Sequence, residues 1–380
     1  MAPTKQQILD RLAAVAAPDG RKITETGALS DIVLSDGKVF FSLSVDAAAV
    51  KAWEPVRKQV EDAVRGVPGV VSAMIALTAE RAGGAGQGSR PAPAAAGGHG
   101  HGHQHGRAPA GPSGVPGVKS IIAVASGKGG VGKSTTAINL ALGLRDLGLK
   151  VGVLDADIYG PSLPKLLAIR EKPQTIDGTR LKPIERYGLT VMSIGFLIEE
   201  ETPMIWRGPM VMSALTQMLR EVAWGELDVM VVDMPPGTGD AQLTMAQQVP
   251  LAGAVIVSTP QDLALIDARR GIGMFQRVNV PILGVVENMS YFLCPSCGTR
   301  SDIFGHGGAR HEAERLKVPF LGEVPLDMSI RETSDSGLPI VATKPDSAHA
   351  KVYRGIAENV RNALAAPGAA RAAPKIVVEA

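Results

Sequence analysis

The chain has 380 residues, 45% of them apolar, enough to fill a substantial core and to exclude disorder of the whole polypeptide. Its 39 basic and 37 acidic residues leave a formal charge of +2, too near neutral for the broad positive field that nucleic acid or an anionic membrane requires. Asp10 and Arg11 interrupt the N-terminal stretch where a secretory signal needs an apolar run, and no segment approaches ~18 uninterrupted apolar residues, so the expectation is a soluble cytoplasmic protein with no membrane and no nucleic-acid partner.

Residues 1–80 read as a small α+β domain. Thr4 and Gln7 suit a capping box, and Ile8, Leu9, Leu12 and Val15 lay an apolar stripe on the first helix. Asp36-Gly37 marks a hairpin turn, and Val39, Phe41, Leu43 and Val45 alternate as a half-buried strand does. A helix over 52–64 and a strand over 70–77 complete the unit. The stretch 81–117 is rich in Gly, Ala, Pro and His with almost no large apolar residue, which predicts a flexible linker because nothing in it offsets the entropy of ordering. His99, His101, His103 and His105 alternate within it, which reads equally as a weak metal-gathering tract or as low-complexity sequence.

From 118 to 365 the pattern changes again. Apolar runs at 120–125, 151–155, 189–194, 229–233, 254–258 and 282–287 alternate with helical periodicity, which predicts an α/β fold with a mostly parallel, doubly wound sheet. Residues 366–380 read as a disordered tail.

The first of these strands runs into Gly127, Lys128, Gly129, Gly130, Val131, Gly132, Lys133, Ser134 and Thr135, a G-x-x-x-x-G-K-[ST] phosphate loop followed by a helix-compatible segment. Glycines let backbone N–H groups turn toward phosphates, the helix start adds partial positive charge, Lys133 neutralises phosphate oxygens, and Ser134 offers a hydroxyl to Mg2+. The reading is an ATP site in a P-loop NTPase.

Two acidic motifs end later strands, where a doubly wound sheet presents its ligands: Asp155 with Asp157, and Asp233. Asp233 is placed to hold Mg2+ through water, and Asp155 to support the metal shell. Gly237 and Gly239 follow Asp233 in a loop suited to switching with the γ-phosphate.

Cys294 and Cys297 are the chain's two cysteines, and their spacing lets both sulfurs reach one metal centre while Pro295 stiffens the loop. Four-thiolate zinc and iron-sulfur sites need two more ligands, so a complete site requires a second subunit, and a homodimer is expected. The spacing by itself leaves zinc and a cluster both open.

Lys128, at the loop's second position, resembles the signature lysine of the deviant Walker A group that includes MinD, ParA, ArsA and nitrogenase iron protein. The resemblance implies that Lys128 contacts the partner subunit's nucleotide, acting as an arginine finger does. It also implies that Asp157 positions and deprotonates the attacking water, and that Asn288, in the segment Glu287-Asn288-Met289-Ser290, meets the adenine edge. The segment from Trp224 through Asp233 to Asp240, with Asp157-Ile-Tyr-Gly-Pro-Ser162 and Trp206-Arg-Gly-Pro209, resembles the Mrp/ApbC family of iron-sulfur carrier ATPases over 118–362. Residues 1–80 resemble, more loosely, a PaaD-type metal-sulfur cluster assembly domain, although they contain no cysteine. The resemblance implies Mg2+-dependent ATP hydrolysis and an iron-sulfur cluster, 4Fe-4S, bridging two subunits for delivery to apo iron-sulfur client proteins. MinD- or ParA-like positioning and nitrogenase-iron-protein-like electron donation stand as alternatives. Pro367 and Pro374 in the tail weigh against a membrane-binding amphipathic helix.

Overall fold

The structure is a computed structural model that describes residues 3–30, 32–35, 37–46, 49–80, 114–176, 180–197 and 208–365. The chain divides into two compact units, Met1–Gly111 and Pro112–Ala380.

In the first unit, α1 (Lys5–Leu12) opens with the expected capping box. Gln7 N–H donates to Thr4 Oγ1 at 3.3 Å, and Thr4 N–H donates to Gln7 Oε1 at 2.9 Å. Strands β1 (Val33–Ser35) and β2 (Lys38–Asp46) form an antiparallel hairpin. Gly37 turns at φ +75°, and a Cβ there would stand 2.4 Å from the Gly69 carbonyl oxygen, so only glycine fits. Asp36 lies outside the described residues. Helix α2 (Val50–Arg65) then crosses over, and β3 (Ser72–Glu80) pairs in parallel with β2. The helix starts at Val50 rather than 52, and the strand is shifted from 70–77 to Ser72–Glu80. Ile8, Leu12, Phe41, Leu43, Val60, Val64 and Ile75 form the core.

The second unit runs β4 (Val118–Ala125), α3 (Lys133–Asp146), β5 (Val151–Asp155), α4 (Leu163–Leu166), and a ribbon of β6 (Thr175–Ile176) and β7 (Arg180–Leu181). It continues with β8 (Ile184–Arg186), β9 (Leu189–Ser193), α5 (Gly208–Arg220), β10 (Leu227–Asp233), α6 (Asp240–Gln248), β11 (Leu251–Ser258), α7 (Asp262–Arg277) and β12 (Ile282–Asn288). A second ribbon of β13 (Phe292–Leu293) and β14 (Arg300–Ser301) precedes α8 (Gly308–Leu316), β15 (Phe320–Val324), α9 (Met328–Asp335), α10 (Ile340–Thr343) and α11 (Ala348–Ala365).

The main sheet has the order β15-β12-β11-β4-β10-β5-β9-β8, parallel throughout except where β8 pairs antiparallel with β9. Its central strands are buried along most of their length, as continuous apolar runs in a sheet covered on both faces should be. Strand β4 feeds β5 across the intervening β10, and this crossover gathers the C-terminal ends of all three at one place. The register there sets Asp233 beside both Val124 and Asp155.

Residues 81–113, with the histidine tract, lie outside the described residues, as do Trp206, Arg207 and 366–380. Gly117 O accepts a hydrogen bond from Leu227 N–H, so the second unit is already structured before Val118. Among the described residues no helix is long and apolar enough to cross a membrane.

Candidate functional site

Strand β4 delivers the chain into the phosphate loop, and two of its glycines are required by close approach. A Cβ at Gly127 would lie 2.2 Å from the backbone carbonyl of Asp267 on α7, and one at Gly132 would lie 2.2 Å from Asn288 Nδ2. Gly130 and Gly132 adopt left-handed φ of +80° and +79°, whereas Gly129 faces open space. Helix α3 starts at Lys133. The Lys133 side chain is 7% exposed, and its Nζ pairs with Asp233 Oδ1 at 2.5 Å and reaches Ser134 Oγ at 3.2 Å. Ser134 and Thr135 are half-buried, Val131 is buried, and Lys128 is half-exposed with its carbonyl held by the Ser126 hydroxyl at 2.8 Å.

Asp155 and Asp233 are fully buried side by side, and the second oxygen of Asp233 has no hydrogen-bond partner among the described residues. A buried carboxylate oxygen without a partner, beside a lysine ammonium and a serine hydroxyl, fits a water-coordinated divalent cation. Asp155 is held differently. Its Oδ1 accepts from Asp157 N–H, and its Oδ2 accepts from the N–H groups of Ser162 and Leu163 and from the Ser193 hydroxyl. Both oxygens accept from protein donors, so Asp155 braces the loop after β5. Burial and the neighbouring Asp233 charge push its carboxyl up to about 7, against those hydrogen bonds. Asp157 is raised chiefly by burial, with the Lys133 ammonium opposing.

Beyond β10 the chain is stitched to the phosphate loop: Met234 N–H donates to Val124 O at 3.0 Å, and Gly237 N–H donates to Ser126 O at 3.0 Å, with φ +97° at Gly237. Gln242 on α6, buried, donates through Nε2 to the Pro235 carbonyl. One glutamine among the three of this helix gives no sequence signal for this role. Asn288 Nδ2 donates to Val131 O at 2.8 Å, so this amide holds the phosphate loop itself.

The cysteines cap the β13–β14 ribbon. Cys294 N–H donates to Thr299 O at 3.0 Å, Gly298 N–H donates to Cys294 O at 2.8 Å, and Gly298 takes a left-handed φ of +72° to close the turn. Both thiols are free, Cys294 half-buried and Cys297 exposed. The Thr299 hydroxyl, 3.2 Å from Cys297 Sγ, favours the thiolate and holds that thiol below its ordinary range, with the Thr299 backbone and Cys294 assisting. Among the described residues no set of three or more His, Cys, Asp or Glu side chains is grouped to hold a metal ion.

Comparison with known proteins bears out the resemblance read from the sequence. Residues 117–361 match the family model described as NUBPL iron-transfer P-loop NTPase, and residues 5–75 match that described as iron-sulfur cluster assembly protein. An iron-sulfur cluster carrier protein from Synechocystis sp. is 43% identical over 366 residues, spanning 94% of this chain and 97% of its own length. An iron-sulfur protein required for NADH dehydrogenase, mitochondrial, from Arabidopsis thaliana is 57% identical over 249 residues, spanning 65% of this chain and 80% of its own. A solved nucleotide-binding protein in complex with ADP from Archaeoglobus fulgidus is 40% identical, with a TM-score of 0.55 over 62% of this chain and 92% of that one. The parallel sheet, its phosphate loop, the cysteine ribbon and these matches together show that the chain belongs to the NUBPL iron-transfer P-loop NTPase family, joined to an N-terminal iron-sulfur cluster assembly domain.

Proposed function

We propose that the protein is an ATP-hydrolysing iron-sulfur cluster carrier that works as a homodimer, binding a 4Fe-4S cluster across two copies of the Cys294/Cys297 pair and passing it to apo client proteins. The carrying observation is the pair of free thiols at a ribbon tip, without further grouped ligands among the described residues, in a chain whose other site is built for phosphate. Two copies bring four thiolates, the usual complement for such a cluster. A cytoplasmic setting, where thiols stay reduced, suits both cysteines.

In this account ATP enters the loop from Gly127 to Thr135, and Lys133 exchanges Asp233 for the β- and γ-phosphates. Ser134 and the freed Asp233 would hold Mg2+, which would supply neutralisation of the phosphate charge there. Asp155, through its bond to the Asp157 N–H, sets the position of Asp157. Asp157 takes the proton of a water that attacks the γ-phosphorus, the bond to the β,γ-bridging oxygen breaks, and the electron pair leaves with ADP. Lys128 of each copy steadies the charge on its partner's nucleotide, so turnover waits for dimer closure. Asn288, which holds Val131 O through Nδ2, meets the adenine edge in this reading.

The test is anaerobic reconstitution with iron and sulfide, followed by incubation with an apo-ferredoxin and a chelator that scavenges free iron. The wild-type protein is expected to activate the acceptor, and Cys294→Ala is expected not to. A cluster that is retained while electrons pass to an added one-electron redox dye supports the reductase reading instead, and a protein that takes up zinc but never iron and sulfide overturns the proposal.

A further inference from the structure

The cysteine ribbon belongs to a long excursion that leaves the sheet after β12 and returns at α8, and one buried carboxylate closes its neck. Glu287, 0% exposed, accepts from the Ser290 hydroxyl at 2.6 Å through Oε1 and from Ala309 N–H at 2.6 Å through Oε2. Ser290 stands where the excursion begins and Ala309 where it ends, in the first turn of α8. Among the described residues no basic side chain accompanies this carboxylate in its hydrogen bonds, which makes it a costly way to fill the interior and implies that its geometry matters. The adjoining residue, Asn288, is the one that holds Val131 O in the phosphate loop, packed so closely that Gly132 has no room for a Cβ. Met289 then takes a left-handed φ of +54°, a conformation unfavourable for its side chain. The phosphate-loop contact, the strained residue and the neck of the cysteine excursion are thus consecutive in the chain.

We infer that Glu287 and Asn288 are positioning residues that tie the placement of the Cys294/Cys297 ribbon to the occupant of the phosphate loop. A shift of the loop when phosphate enters is passed by Asn288 to the end of β12 and by Glu287 to both limbs of the excursion. The inference rests on the nucleotide-site reading above, and it needs neither a cluster nor hydrolysis.

The experiment measures the rate of iodoacetamide labelling at Cys294 and Cys297 in the reduced full-length protein, with and without MgADP, at high and low protein concentration. Nucleotide binding is followed separately by calorimetry. Saturating MgADP is expected to change the labelling rate about fivefold, the lower end of ordinary coupling between sites, at both concentrations. Asn288→Ala, which spares the carboxylate clasp, is expected to bind MgADP at higher concentration yet show no change in labelling rate. Ser290→Ala, which opens one limb, is expected to reduce the nucleotide effect, and Glu287→Gln to abolish it. Should Glu287→Gln fail to fold, the other two variants decide the matter. Absence of MgADP binding refutes the nucleotide reading; binding without a change in wild-type labelling, or an undiminished change in Asn288→Ala, overturns the inference. A change seen only at high concentration assigns the effect to association of two copies and overturns it too.

Discussion

Replacing Lys133 with methionine tests the electrostatics of the site before any nucleotide is added. The Lys133 side chain is 7% exposed and the Asp233 side chain 0%, with Nζ and Oδ1 2.5 Å apart, and Asp155 is buried next to the same carboxylate. Methionine keeps the length of the stem but removes the cation, leaving two buried carboxyl groups without their ammonium. Removing one partner of a buried pair costs about 3–5 kcal/mol, because the remaining charge stays desolvated and unpaired. For a unit of this size that loss corresponds to a fall in melting temperature of roughly 6–20 °C. Asp233→Asn should also destabilise, while Lys133→Met combined with Asp233→Asn should recover about 2 kcal/mol relative to the sum of the single changes, since neither charge is then stranded. Calorimetry or chemical denaturation of the four proteins closes the cycle. Strict additivity, or a Lys133→Met loss below about 0.5 kcal/mol, the range of ordinary surface substitutions, would refute the reasoning.

Three further outcomes follow from the same geometry. Lys128→Ala should bind ATP as the wild type does, since the loop backbone and Lys133 are untouched, yet lose about 10³-fold in turnover; normal steady-state hydrolysis would remove the trans-acting lysine from the account. Gly132→Ala places a Cβ at φ +79° against Asn288, so it should lose about 1–2 kcal/mol from backbone strain and bind MgADP markedly more weakly; wild-type affinity by calorimetry would contradict the close approach. Because Thr299 holds the Cys297 thiol below its ordinary range, its alkylation rate should rise with pH through a midpoint below that of an unperturbed thiol. Thr299→Val should move that profile to higher pH, and an unmoved profile would dismiss the hydroxyl as the cause.

The parts of the fold that were legible in the sequence are those where burial on both faces writes a continuous apolar run, such as Val151–Asp155, which the structure reproduces at both ends. Phe320–Val324 and Ile184–Arg186 were not legible, because edge strands are short and only partly buried, and their residues carry no run or alternation long enough to stand out. In the site, the phosphate loop declared itself through glycine spacing, and the structure supplies the reasons: Asp267 behind Gly127 and Asn288 behind Gly132. The sequence separated the roles of Asp233 and Asp155 but not their bonding: the four donors that take up the oxygens of Asp155, and the Asp233 oxygen left without a hydrogen-bond partner among the described residues, were not legible. Gln242 and Glu287 were likewise invisible. Their roles depend on partners brought together by the fold, the Pro235 carbonyl in one case and both ends of the cysteine excursion in the other.

The central claim is that two copies of this chain share one inorganic centre through four thiolates. Native mass spectrometry of the anaerobically reconstituted protein weighs that claim directly, by counting chains, iron and sulfide in a single particle. The account predicts a two-chain species carrying one cluster, lost in both Cys294→Ala and Cys297→Ala. A one-chain species that retains a full complement of iron and sulfide would contradict it.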